Sequence, residues 1–174
     1  MQATEEITSA LAKVPDLRVV AAVDAEAQII VAHSLTQSMS DQDQLVPLMD
    51  GIKDNLGRKP KEASADAGYL SEANLAALAN REIGAYIATG RAKHPAQGKR
   101  KITGPLTKAM QDKLKRAGWR SRYRFRKQIV EPVFGQIKQA RGFRQFLLRG
   151  IEKVTTEWAL ICTAHNLTKL ARAA

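Results

Sequence analysis

The sequence predicts an α/β fold with a mixed sheet flanked by helices and a helical C-terminal part. Up to residue 90, short runs of β-branched and small residues alternate with amphipathic segments. Beyond residue 103, apolar residues recur at helical spacing in three stretches. The 174 residues are 44% apolar, which is enough for one domain with a buried core.

The elements of the first ninety residues follow from apolar periodicity and turn-forming residues. A short helix is expected before Pro15, and the two β-branched runs of residues 17–35 predict a hairpin with a polar turn. A helix follows and ends at Gly57. Ser71 is placed to cap a helix that lies between two further short strands.

The second half begins with a change in composition. Glycine, proline, lysine and arginine dominate from Arg91 to Thr103, which predicts a basic insertion loop over about residues 89–103. Three helices are expected after it, over residues 106–118, 121–140 and 150–173.

Positive charge is concentrated in one block of the chain. The net charge is +11, but residues 1–90 hold seven basic and thirteen acidic residues, or −6. Residues 91–149 hold eighteen basic and two acidic residues, or +16, and residues 150–174 contribute +1. Aromatic residues are interleaved in the basic block, as in surfaces that follow phosphates. A merely solubilising face is less favoured because such faces usually mix both signs of charge.

Other classes of protein are disfavoured by the composition. No apolar run approaches the ~20 residues of a membrane span, and the first residues are acidic and polar, unlike a secretory signal. Cys162 is the single cysteine, so no internal disulfide can form. We therefore expect a cytoplasmic protein without a membrane partner, in which Cys162 is a buried apolar side chain.

Two carboxylates stand at positions that suggest chemistry. Asp66 ends a short predicted strand before an Ala-Gly-Tyr turn, and α/β folds place ligands at that edge of the sheet. Glu131 is the lone acid between Lys113 and Arg149, and it directly precedes Pro132, which should kink its helix. A turn residue and a partner in an ion pair are the alternative interpretations.

Helical spacing adds cations beside Glu131. Arg124 and Lys127 lie seven and four residues before it and Lys138 seven after it, so all four are expected on one helical face. Carboxylates from separate elements beside a basic surface suit Mg²⁺ or Mn²⁺ and phosphoryl transfer on DNA, because hard divalent cations prefer oxygen ligands.

The sequence resembles a known family along most of its length. The segments ADAGYLSEANLAAL, YRFRKQIVEPVFGQIKQARGFRQFLLRG and AHNLTKL are similar to DDE transposases of bacterial insertion sequences, which have an RNase H-like catalytic domain. AAVDAEAQIIVAHSLTQSMSDQDQLVPLM is similar to the segment before them. The resemblance covers residues 17–172 and implies a partial RNase H-like domain at 17–174, after an extension of residues 1–16 outside the family pattern.

The resemblance implies roles for particular residues. Asp66 and Glu131 match the second and third catalytic acids, and Lys138 matches the lysine seven residues after the glutamate. Lys127 and Arg124 stand where the family has arginine and tyrosine. Tyr123 and Arg126, one position off that signature, are further candidates for contacting DNA. The implied cofactor is Mg²⁺ or Mn²⁺, and the implied partners are double-stranded transposon ends and target DNA.

The family's first catalytic aspartate lies on a strand upstream of the hairpin, so we expect that strand to be missing and the transposase to be truncated. Asp24 is the one substitute candidate as a metal ligand, but its position between two strands favours a hairpin turn. An unpaired sheet edge would favour a homodimer or pairing with a full-length transposase.

Three functions remain open on the sequence alone. One is DNA transposition by metal-dependent phosphoryl transfer, and another is a DNA-binding protein or transposition inhibitor without catalysis. The third is a basic protein that binds RNA or associates with the ribosome. Because only two of three acids are assigned, we expect the isolated chain to bind DNA with a steep salt dependence and not to cleave strands.

Overall fold

The computed structural model describes residues 17–90, 104–117 and 122–173, and within them the α/β class is confirmed. The strands are β1 (Arg18–Val23), β2 (Ile30–Thr36), β3 (Glu62–Ala65) and β4 (Gly84–Ile87). The α-helices are α1 (Leu45–Leu56), α2 (Glu72–Asn80), α3 (Pro105–Ala117), α4 (Arg126–Gly135) and α5 (Ile151–Ala173). Short 3₁₀ turns cover Asp41–Gln44, Ala67–Tyr69 and Arg122–Phe125, and a π-helix covers Gln136–Ala140. The predictions for residues 1–16 and for the loop of residues 91–103 lie outside the described residues.

The described strands form two small sheets where the sequence predicted one mixed sheet. The expected hairpin is present, since β1 and β2 are antiparallel with Val20 opposite Ser34. β3 and β4 are parallel, with Ala63 opposite Ala85. A mixed sheet combines antiparallel and parallel pairs, and both kinds of pair are present. However, no described strand joins the two pairs into one sheet.

The chain divides into two compact units. The first unit consists of Met1–Met39 and Lys127–Ala174, and the second consists of Ser40–Arg126. The hairpin and α5 thus belong to the first unit, and the parallel strands with α1, α2 and α3 belong to the second. None of the described helices is both long and apolar enough to cross a lipid bilayer.

The core of the first unit is built around Trp158 of α5, which is fully buried. Its indole stacks on Phe134 at 6.2 Å between ring centroids and meets Phe146 edge to face at 6.4 Å. Cys162 is buried one turn further along α5, and burial raises the pKa of its thiol to about 12. Cys162 is therefore the buried apolar side chain that the sequence predicted.

The second unit contains a strand, helix, strand arrangement that supports the carboxyl end of β3. α2 crosses from β3 to β4, and the predicted cap is present because Ser71 Oγ accepts a hydrogen bond from Asn74 N at 3.1 Å. Gly57 ends α1 as predicted, with a φ of 65° that favours glycine. Leu78 of α2 and Ile87 of β4 are fully buried and fix the helix against the strand pair.

A carboxylate of one helix caps the next helix in this unit. Glu72 of α2 accepts hydrogen bonds from the N–H groups of Leu106 (3.1 Å) and Thr107 (2.7 Å) at the start of α3. Burial acts to raise the pKa of Glu72, but these hydrogen bonds hold it below its ordinary value. Gly104 is required beside this carboxylate, since a Cβ there would lie 2.0 Å from Glu72 Oε1.

Candidate catalytic and nucleic-acid-binding site

Asp66 follows β3 directly, at the carboxyl end of the parallel strand pair. The chain then turns through Ala67–Tyr69, and Tyr69 N donates to Asp66 O at 3.1 Å. The Asp66 side chain is 61% exposed, so its carboxylate reaches solvent at the edge where α/β folds bind ligands.

Two neighbours hold the turn that carries Asp66. A Cβ on Gly68 would lie 2.8 Å from Asp41 Oδ2, so this position accepts only glycine without a shift. Asn74, which is buried, donates from its amide to Tyr69 O and to Gln42 O, each at 2.9 Å. The backbone after Asp66 is thereby tied to the segment before α1.

A cation lies against the Asp66 carboxylate. Arg126 Nε donates to Asp66 Oδ1 at 3.3 Å, and the same guanidinium lies 4.5 Å from the centre of the Tyr123 ring. Tyr123 in turn contacts Tyr86 of β4, with 6.4 Å between ring centroids. Burial raises the pKa of the Tyr123 hydroxyl. The charge of Arg126 lowers this pKa to a smaller extent, and the charge of Asp66 raises it. Three predicted site residues, Asp66, Tyr123 and Arg126, are thus in one cluster.

The cluster extends along β4 to Lys113 of α3. Its ammonium lies 4.0 Å from the centre of the Tyr86 ring and donates to Ala85 O at 2.8 Å. Burial lowers the pKa of Lys113, and Glu62 raises it to a smaller extent. Arg124, another predicted DNA contact, is exposed with its guanidinium 4.3 Å from the centre of the Phe125 ring.

Glu131 lies in α4, in the first unit, and is exposed. Among the described residues it forms no ion pair, so the pairing with Lys127 or Arg124 that sequence reasoning offered as an alternative is not observed. Lys127 lies one turn earlier in the same helix and is also exposed. Pro132 is accommodated inside α4.

The single cationic face predicted around Glu131 needs correction. The helical stretch is divided into a 3₁₀ turn with Arg124, the α-helix with Lys127 and Glu131, and the π-helix with Lys138. The constant period of 3.6 residues assumed for that face applies only to Lys127 and Glu131. The π-helix is closed by Arg141 N donating to Gln136 O at 3.1 Å.

Asp24 is engaged in the hairpin turn. Its Oδ2 accepts hydrogen bonds from the N–H groups of Glu26 (3.0 Å) and Ala27 (2.7 Å), a common use of aspartate in turns. This is the arrangement that the turn interpretation expects, and it engages one of the two carboxylate oxygens.

His165 and Asn166 of α5 attach the helix to the hairpin. His165 is fully buried, and its Nε2–H donates to Gln28 O at 2.9 Å. Asn166 pairs with both backbone groups of Ile30, because Nδ2 donates to Ile30 O and Oδ1 accepts from Ile30 N, each at 2.8 Å. His165 is therefore a packed side chain.

The carboxylates have the chemistry of divalent cation ligands, although no group of three or more His, Cys, Asp or Glu within the described ranges is arranged to hold a metal ion. Asp66 and Glu131 are both exposed and offer the oxygen donors that Mg²⁺ and Mn²⁺ prefer. The residues present therefore fit a hard cation by donor type.

Part of the chain matches a known protein family. Residues 89–171 match the model of the transposase DDE domain. The match supports the resemblance of this segment to DDE transposases, and the segment includes Glu131, Lys127 and Lys138. The match begins after Asp66, so the role of Asp66 stays a prediction. No curated protein and no solved structure shows significant similarity to the chain.

The sequence did not reveal the residues that support the cluster around Asp66 without being candidate ligands themselves. Asn74 was passed over although it is a polar residue with poor helix propensity inside a run of leucine and alanine, which could have marked it. Tyr86 and Lys113 carried no such signal, because their contact joins β4 to a helix more than twenty residues away.

Proposed function

We propose that this chain acts in DNA transposition by metal-dependent phosphoryl transfer, with strand cleavage and joining at transposon ends. The observation that carries the proposal is the match of residues 89–171 to the transposase DDE domain. Glu131 lies inside this segment as an exposed carboxylate. Asp66 is included because of its motif and its exposed position at the carboxyl edge of the parallel strands.

Asp66 and Glu131 are the proposed ligands of Mg²⁺ or Mn²⁺. A divalent ion bound there would polarise the reacting phosphate and activate the attacking oxygen. Arg126 now donates to Asp66, so its guanidinium has to leave Oδ1 before that oxygen can bind a cation. Once released, Arg126 can contact a phosphate while Tyr123 still supports its guanidinium.

Binding of double-stranded DNA is assigned to the basic block. Residues 91–149 carry a net charge of +16. Arg124, Lys127 and Lys138 contribute cations to this block, and Arg124 is oriented by the Phe125 ring. Contacts of this kind release counterions, and the affinity then falls with salt by a slope of about −0.9 per phosphate contacted.

Metal binding tests the assignment of the carboxylates. Mn²⁺ titrations followed by calorimetry should give an affinity that falls by about tenfold or more in Asp66→Ala and in Glu131→Ala. The matched controls are Asp54→Ala in the second unit and Glu152→Ala in the first, which are exposed acids outside the proposed site. Equal affinity in all four variants would remove both residues from the metal site.

A DNA-binding function without catalysis is the second candidate, and the Arg126–Asp66 ion pair favours it because the pair neutralises a carboxylate that catalysis needs. Fluorescence anisotropy with a DNA duplex distinguishes the two functions. If binding alone is the function, Asp66→Ala and Glu131→Ala leave DNA affinity unchanged with or without Mn²⁺, and Lys127→Gln and Lys138→Gln weaken it. If transposition is the function, Mn²⁺ strengthens binding in the parent chain and not in the two acid variants.

A further inference from the structure

Arg141 has a buried donor that finds no acceptor among the residues that the structure describes. It directly follows the π-helix Gln136–Ala140, and its backbone closes that helix. Its Nη1 is buried and makes no hydrogen bond within the described part of the chain. An unsatisfied buried donor on a charged group costs more than an ordinary lost hydrogen bond, so an acceptor is expected at this position.

Further cations surround Arg141. Lys169 and Arg172 of α5 follow His165 at four and seven residues, which places the three side chains on one helical face. Burial lowers the pKa of Arg141, and the neighbouring Arg172 lowers it further. Burial is the main cause that lowers the pKa of His165. The hydrogen bond to Gln28 raises this pKa, and the charges of Arg141 and Lys169 lower it further. Arg141 is thus close enough to Arg172 for repulsion, and Arg141 and Lys169 are both near His165.

Neutral partners satisfy part of this cluster, but no carboxylate in the described part of the chain does. Lys169 Nζ donates to the side-chain oxygen of Gln28 at 2.8 Å. His165 donates through Nε2, its buried Nδ1 has no partner among the described residues, and its lowered pKa favours the neutral ring. Within residues 17–90, 104–117 and 122–173, neither Arg141, Lys169 nor Arg172 forms an ion pair with an acid.

We propose that Arg141, Arg172 and Lys169 form an anion site that binds a phosphate group. A phosphate is negatively charged and has several oxygens, so it can accept hydrogen bonds from two guanidinium groups and balance their charge, which a neutral carbonyl or water cannot do. The site lies wholly in the first unit and uses none of Asp66, Glu131, Lys127 or Lys138. The identification of the phosphate as a DNA phosphodiester rests on the proposed function. The existence of the anion site does not depend on that function.

The first experiment uses inorganic phosphate as the probe. Thermal unfolding of the full 174-residue chain is followed in phosphate and in chloride at equal ionic strength. The extra stabilisation by phosphate should be present in the parent chain and absent in Arg141→Gln and Arg172→Gln. Lys153→Gln is the matched control, since it removes one exposed cation from the first turn of α5. Because phosphate also stabilises proteins without binding a site, the difference between variants is the readout.

The second experiment measures affinity for a DNA duplex over a range of salt. If the phosphate belongs to DNA, Arg141→Gln and Arg172→Gln each weaken binding by about tenfold and lower the salt slope by about one, and Lys153→Gln changes little. Loss of the phosphate effect with unchanged DNA affinity would keep the site and assign it to free phosphate. Arg172 is exposed, so Arg172→Gln remains informative if Arg141→Gln does not fold.

The proposal is overturned if both arginine variants respond to phosphate and to DNA as Lys153→Gln does. That result is separable from a failure of the proposed function, which is tested by Mn²⁺ binding at Asp66 and Glu131. A chain that binds phosphate through Arg141 but no Mn²⁺ would support this site and contradict the catalytic assignment.

Discussion

Each unit of the molecule is held together at a critical point by one asparagine, and the two asparagines work differently. Asn166 in the first unit pairs with the N–H and the C=O of a single residue, Ile30, at the start of β2. Asn74 in the second unit donates to two carbonyls in separate segments, Gln42 and Tyr69. Asn166 therefore attaches a helix to a strand, whereas Asn74 joins two loops, one of which follows Asp66.

This difference separates what stabilises each unit from what positions its candidate carboxylate. In the first unit the aromatic core lies behind the helix that carries Glu131, and that carboxylate has no partner among the described residues. In the second unit the carboxylate is on a turn, and hydrogen bonds together with Arg126 fix its position. Changes in the first unit should mainly affect stability, and changes in the second should also affect ligand binding.

The largest effect is expected from the aromatic core. Trp158→Ala should lower the free energy of unfolding by about 3–5 kcal/mol, because it leaves a large cavity between Phe134 and Phe146. Urea denaturation followed by circular dichroism measures this change. Trp158→Phe should cost clearly less, since it keeps one ring in the core and leaves a smaller cavity, and the indole N–H that it removes has no partner among the described residues. Equal costs for the two variants would contradict the central place of this ring in the core.

The two asparagines give the next largest effect. Asn74→Ala and Asn166→Ala should each destabilise the chain by about 2–3 kcal/mol, because each leaves two backbone groups without their partner. Only Asn74→Ala should also weaken Mn²⁺ binding, since it frees the turn after Asp66. Calorimetric titration and urea denaturation of both variants test this contrast, with Asn80→Ala as an exposed control. Equal Mn²⁺ affinity in the two variants would show that Asn74 does not position Asp66.

Acid should affect the two units in different pH ranges. Burial lowers the pKa of His33 and of His165, so their folded state favours the neutral ring. Their contribution to stability is complete above the ordinary value of 6.5 and is lost as the pH falls below it. Hydrogen bonds to Arg81 lower the pKa of Asp50, and the pKa of Glu72 is also lowered, so those contributions are complete above 4.5 and are lost only below it.

Amide hydrogen exchange, followed by NMR at pH of about 7, 5.5 and 4, tests these ranges. At the middle pH, protection should fall in β2 and α5 while α1, α2 and β4 keep theirs. His33→Gln should reduce the loss of protection between pH of about 7 and 5.5. Asp50→Asn should reduce only the loss of protection between pH of about 5.5 and 4. A simultaneous loss of protection in both units at the middle pH would show that the histidines do not set the difference.

The sequence predicted local structure more fully than the contacts that position the site. The hairpin, the cap at Ser71 and the position of Asp66 after a strand follow from patterns within a few residues of each other. The Arg126–Asp66 pair joins residues 60 positions apart, and no periodicity reports such a contact. The π-helix with Lys138 was missed because apolar spacing does not distinguish a wider turn from an α-helical one.

The smallest effect expected concerns the contrast between Asp66, which is paired with a cation, and Glu131, which forms no ion pair with any described residue. Arg126→Gln should raise the Mn²⁺ affinity of the chain about two- to fivefold, because a partly exposed ion pair contributes little and its loss frees Asp66 Oδ1. Arg124→Gln is the control, because it also removes one positive charge, here a guanidinium that lies over the Phe125 ring. This variant should leave Mn²⁺ affinity unchanged. Both variants should weaken binding to a DNA duplex, since each lacks one cation of the basic block. If Arg126→Gln lowers Mn²⁺ affinity, the guanidinium positions the Asp66 carboxylate for metal binding. The ion pair is then part of the metal site and does not compete with the metal.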